Sequence, residues 1–177
     1  MAFQMSYASY VYAQTPPTIT SPNTADAAEN QTFVIDVQAF DAEGDTEGGG
    51  GLTYSLNLTT GIDDALFAID INTGILTFLA APDFEAPGDV GGDNIYNVEV
   101  TVTDSEAIPL TGVQNLVVTV TDVNEPPTIT SASSVSVAEN LTFAINVQAT
   151  DPEGETEGGG GLTYSFTNVA GGGVDNG

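Results

Sequence analysis

The chain has 177 residues, 41% of them hydrophobic, which is enough for one full domain and part of another. Its 25 acidic residues meet no Lys, Arg or His, giving a formal charge of −25, so phosphate clamps and nucleic-acid footprints are excluded. The absence of His and Cys also removes catalytic triads, thiol chemistry, disulfides and His/Cys zinc sites. With no basic partner anywhere in the chain, each carboxylate is expected to face water or to find a metal cation.

Residues 1–14 (MAFQMSYASYVYAQ) carry no positive n-region, and polar residues interrupt the apolar run, so no signal peptide is expected. The alternation at 7–12 suits a last sandwich strand as well as it suits a leader. No run approaches the roughly eighteen apolar residues of a transmembrane helix.

From residue 16 the chain repeats itself. Residues 16–55 superpose without a gap on 126–165 at an offset of 110, with 28 of 40 positions identical. Shared blocks are PPTITS, AEN, VQA and TEGGGGLTYS. Three segments are expected: 1–15 as a leader or final strand, 16–125 as a complete repeat, and 126–177 as the N-terminal half of a second.

Within a repeat the apolar period is two. Phe33, Ile35, Val37 and Ala39 alternate with smaller or polar residues, as do Leu52, Tyr54 and Leu56. Asn72-Thr73-Gly74 predicts a tight turn into a strand at 75–78. Tyr96, Val98, Val100 and Val102 form the next run, followed by Leu116, Val118 and Val120. About seven such strands per repeat, rich in Val, Ile, Thr and Tyr, predict an all-β, antiparallel Greek-key sandwich. The Gly48–Gly51 and Gly158–Gly161 runs lack the Lys of a phosphate loop and read as flexible turns.

Acidic residues recur at strand ends and linkers: Glu29, Asp83 and Glu85, Asp122 with Asn124 and Glu125, and Asp151 with Glu153. The i, i+2 spacing lets alternate side chains converge on one ion, and calcium takes six to eight oxygen ligands. Asp63-Asp64 and Asp89–Asp93 read instead as solvated loop acids.

The ordered motifs AEN (28–30), DAEGDTEGGGGLTYSL (41–56), FAIDINTGIL (67–76), DFEAPGD (83–89), YNVEVTVTD (96–104) and TDVNEPP (121–127) resemble tandem cadherin repeats. The resemblance is to the cadherin-like repeats of large bacterial surface proteins. It implies calcium at the repeat junction, held by Glu29, Asp83, Glu85, Asp122, Asn124, Glu125, Asp151 and Glu153. Glu125 and Glu153 stand where the family has aspartate. It also implies an upper half-site of Asp41, Glu43 and Asp104, although positions 12–15 read Tyr-Ala-Gln-Thr where the preceding linker would read Asp-x-Asn-Glu.

The function expected from this likeness is a non-enzymatic, extracellular structural or adhesive module, stiffened by calcium, of a surface adhesin or filament. Its partners would be further copies of itself or a cell-surface protein or glycan, without nucleic acid or membrane insertion. The alternative is a carbohydrate- or other ligand-binding sandwich that uses calcium. Thr101, Thr103, Thr119 and Thr121 supply the candidate flat row for that reading.

Overall fold

The computed structural model describes residues 13–58 and 63–166. Contacts divide the chain into two compact units, the first reaching Val123 and the second beginning at Asn124.

The first unit begins with short strands β1 (Thr18–Ile19), β2 (Thr24–Ala28), β3 (Phe33–Asp36), β4 (Ala39–Phe40) and β5 (Thr53–Leu56). A single 3₁₀ turn over Asp64–Leu66 leads into β6 (Phe67–Ile69) and β7 (Ile75–Phe78). The long hairpin of β8 (Ile95–Thr103) and β9 (Thr111–Thr121) closes the unit. One sheet runs β2-β9-β8-β5, the other β3-β7-β6, and β1 pairs separately with β4.

Period-two alternation turns Tyr96, Val98, Val100 and Val102 of β8 inward, together with Leu116, Val118 and Val120 of β9. They meet Val34, Val37, Leu52, Tyr54, Leu76 and a ring cluster. In that cluster Phe67 and Phe78 lie 4.4 Å apart between centroids, and Tyr96 stands edge-on to both. Between β6 and β7, Asp70 Oδ1 accepts the Asn72 and Thr73 N–H groups at 2.9 Å each. Gly74 then takes φ +73, with the Val37 carbonyl oxygen 2.2 Å from where a Cβ would stand. Only glycine fits this turn.

Two expectations need correcting. The run at 33–39 does not bury Phe33, which is 53% exposed, and leaves Ile35 only partly buried against the core, whereas Val34 and Val37 are buried. A bulge between Phe33 and Ile35 in the β3–β7 pairing shifts the phase. The sheets are also not wholly antiparallel, because β2 runs parallel to β9, with Ala28 opposite Thr121.

The second unit keeps only two short strands among its described residues, β10 (Thr128–Ile129) and β11 (Ala149–Thr150), paired antiparallel. Residues 162–165 are identical to 52–55, yet none of them is in a strand. In the first unit β5 pairs with β8 and β3 with β7; the second unit's described residues include no such partners. Tyr164 is accordingly 48% exposed where Tyr54 is 2% exposed.

Candidate metal centre

The parallel pairing of β2 with β9 brings two acids together. Both strands run toward the same end of the sandwich, so Glu29 and Asp122, each one residue past the Ala28–Thr121 pair, emerge side by side. Glu29 is 3% exposed. Its Oε2 accepts the Phe84 N–H at 2.8 Å, and its Oε1 accepts the Val123 N–H at 2.8 Å. Asp83 Oδ1 accepts the Glu85 and Ala86 N–H groups, folding the DFE segment into a turn that presents Glu85. One carboxylate oxygen each of Glu29, Glu85 and Asp122 lies within 4.8 Å of the others. Desolvation raises the Glu85 carboxyl above its ordinary range, and the charges of Glu29, Asp122 and Asp83 add to this against its own backbone N–H. Asp83 shapes the turn and is not in that group of three.

At the opposite end of the sandwich, Asp41 Oδ1 accepts three backbone N–H groups, from Glu43, Gly44 and Asp45, at 2.9 to 3.2 Å. Glu43 accepts the Thr15 N–H at 3.2 Å and the Thr15 hydroxyl at 2.9 Å. Asp104 Oδ1 accepts the Leu110 N–H at 2.8 Å. The second group with oxygens within 4.8 Å of one another is Asp41, Glu43 and Glu106.

In the second unit, Asn124 Nδ2 donates to the Glu125 carbonyl at 3.2 Å, and the Glu125 N–H donates to Glu153 Oε1. That N–H is the main reason the Glu153 carboxyl drops to about 2. The neighbouring Glu153 carboxylate, by hydrogen bonding, pushes Asp151 up.

No protein-family model matches the chain. It is 31% identical over 151 residues to chitinase A of Pseudoalteromonas piscicida, an alignment covering 85% of this chain and 16% of that protein. It is 30% identical over 125 residues to protocadherin Fat 4 of Mus musculus, covering 69% of this chain and 2% of that protein. The crystal structure of Drosophila N-cadherin EC1-4 superposes with a TM-score of 0.51 at 26% identity, over 78% of this chain and 34% of that one. The chain is built from cadherin-like repeats. It spans only a small part of these relatives' lengths.

Three acids of this cadherin-like chain behave differently from the sequence expectation. Asp63, Asp64 and Asp89 are buried, at 3%, 0% and 7% exposure, and are not solvated loop acids. Asp63 accepts the Val90 N–H at 2.8 Å and the Asn97 N–H at 2.7 Å. Asp64 Oδ1 accepts the Glu99 N–H at 2.8 Å, and Asp89 accepts those of Asp93 and Asn94. Water and metal are therefore not the only partners for an acid here, because backbone N–H donors satisfy oxygens of several of them.

Glu106 is the acid that sequence reasoning missed. The signal was present, since Asp104-Ser105-Glu106 has the same D-x-E spacing as Asp41-Ala42-Glu43, Asp83-Phe84-Glu85 and Asp151-Pro152-Glu153. The threonine row is also not one row. Thr101 and Thr103 pair with Val113 and Thr111, whereas Thr119 lies opposite Ile95 on the same hairpin.

Proposed function

We propose that this chain is a calcium-stiffened, non-enzymatic structural or adhesive module of an extracellular or cell-surface protein, an adhesin or a filament. Calcium sits at the repeat junction, as the cadherin resemblance implies. Its ligands in the first unit are Glu29, Asp83, Glu85 and Asp122, and in the second Asn124, Glu125, Asp151 and Glu153. One observation carries the reading: Glu29, Glu85 and Asp122 bring three carboxylate oxygens within 4.8 Å of one another, in a chain with no basic side chain to offset them. All-oxygen, multiply anionic donor sets suit a hard divalent cation, and calcium tolerates irregular geometry better than magnesium. Bound there, the ion would remove the mutual repulsion and tie the DFE turn to the start of the linker. The role of the first unit's own residues is to hold Glu29 rigid and to aim Glu85.

Further copies of the same protein, or a cell-surface protein or glycan, are the partners in this proposal. The likeness to chitinase A supports a related use, as a non-catalytic spacer within a chitinase. A carbohydrate-binding role is weaker, because the threonines that suggested it are separated along the hairpin. No helix among the described residues is long and apolar enough to cross a membrane. Thermal unfolding of the full chain with calcium and with chelator tests the proposal: equal midpoints would reject it.

A further inference from the structure

We infer that Glu106 is a cation ligand, supplying from within the first unit a carboxylate that the preceding linker positions do not provide. The inference rests on the reading that the acidic clusters of this chain take calcium, and it concerns a residue outside the ligand set the resemblance implies.

The neighbours of Glu106 are poorly served without an ion. Asp41 and Asp104 are each 4% exposed. In both, Oδ1 is committed to backbone N–H groups, while Oδ2 is buried and has no donor. Glu106 Oε2 is likewise buried with no donor. Three carboxylates at one end of the sandwich thus each leave one buried oxygen that no N–H or O–H of the described residues reaches. Burying an acceptor without a partner costs on the order of 1–3 kcal/mol, and more for an ionised one, so the cluster calls for a cation or a shared proton. The shared-proton arrangement is the competing outcome, because desolvation and the Asp104 carboxylate raise Glu106.

The other groups around the cluster do not replace the ion. The Asp45 Oδ2 oxygen is engaged by the Ser105 N–H at 2.6 Å, which also fixes the backbone just before Glu106. Glu43 is held by Thr15, a neutral donor at a position where the family's linker would bring an acid. Glu106 follows Asp104 at the D-x-E spacing and brings an oxygen within 4.8 Å of those of Asp41 and Glu43. This end of the unit therefore gathers its own carboxylates.

The test is calcium titration calorimetry on the chelator-stripped full chain, comparing wild type, Glu85→Gln, Glu106→Gln and the double variant. Melting of each in EDTA is recorded alongside. Glu106→Gln should weaken one class of sites by about tenfold or more and leave the class removed by Glu85→Gln intact; the double variant should lose both. In EDTA, Glu106→Gln should melt no lower than wild type, since it removes a like charge. Wild-type stoichiometry and affinity in Glu106→Gln would overturn the inference while leaving the calcium reading standing. Weaker binding together with a lower melting point in EDTA would make Glu106 a structural residue, and would overturn it too. No calcium binding by wild type would overturn the calcium reading itself.

Discussion

The Glu29 carboxylate accepts the Val123 N–H at 2.8 Å, a contact that spans 94 residues and ties the end of β2 to the exit of β9. The same carboxylate holds the Phe84 N–H. One nearly buried acid therefore fixes both segments that carry Glu85 and Asp122. Its loss would scatter the cluster as well as remove a ligand.

Calcium should stabilise the chain. With Kd on the order of 10⁻⁴ M, a hundredfold excess adds about 2.7 kcal/mol per independent site. Glu85→Ala should abolish much of that gain, whereas Asp26→Asn, an exposed acid on β2, should retain it. Differential scanning calorimetry with and without calcium checks this, and equal behaviour of the two variants would refute the assignment of Glu85.

Asp64 should make the fold less stable as pH rises above about 4. Burial raises its carboxyl, with Glu99 and Asp63 adding to the effect against the Glu99 N–H. A carboxyl whose folded value lies above its unfolded one binds its proton more tightly in the native state. Its stabilisation is complete below the unfolded value, about 4, and is lost as pH rises through the folded value. Asp64→Asn, which keeps an acceptor for the Glu99 N–H, should flatten this part of the pH dependence. Chemical denaturation from about pH 4 to pH 8 measures it, and an unchanged slope would count against the assignment.

Gly74→Ala should destabilise by about 2 kcal/mol or more, since it combines positive φ with a close approach to the Val37 carbonyl. Gly92→Ala, also at positive φ but with open space around it, should cost only about 1 kcal/mol. Urea midpoints of the two variants separate conformational strain from steric clash; equal losses would mean that the Val37 contact is relieved without cost.

Tyr54→Phe should cost about 1–2 kcal/mol by removing the hydroxyl that donates to Glu47 inside a buried environment. The Glu47 carboxylate would keep the Ala39 N–H at 2.9 Å. Equilibrium unfolding gives the value, and a stability equal to wild type would show that water replaces the hydroxyl.

Much of the first unit was legible in its sequence because alternation in β8 and β9 is uninterrupted, from Tyr96 to Val102 and from Leu116 to Val120. The run at 33–39 was misread because a bulge shifts the phase, and no residue type there announces a bulge. Glu85 stood out through its D-x-E spacing, and Asp41 and Glu43 through the cadherin resemblance; all three entered the two clusters, as did Glu106, whose identical spacing passed unnoticed. Asp63 and Asp64 did not declare themselves, because what buries them is the distant N–H groups of Val90, Asn97 and Glu99. The second unit is the clearest limit. Tyr54 and Tyr164 have the same flanking residues, yet only the first is in a strand, because strand formation depends on the partner strand as well as on local preference.

The TEGGGG loop behaves differently from the strands around it. In the first unit Tyr54 donates to Glu47 across seven residues, and the Ala39 N–H reaches the same carboxylate across eight. The second unit reproduces both, with Tyr164 to Glu157 at 2.6 Å and the Ala149 N–H to Glu157 at 3.2 Å. Thr46 and Thr156 each bridge back to the glycines four and five positions on. All of these contacts join residues no more than eight positions apart. Short loop closures are fast and cost little chain entropy. The loop is thus a local cassette, closed by contacts far shorter in sequence than the β2–β9 pairing. Such a loop should close early in folding, ahead of the long-range pairing of β2 with β9 that completes the acidic end.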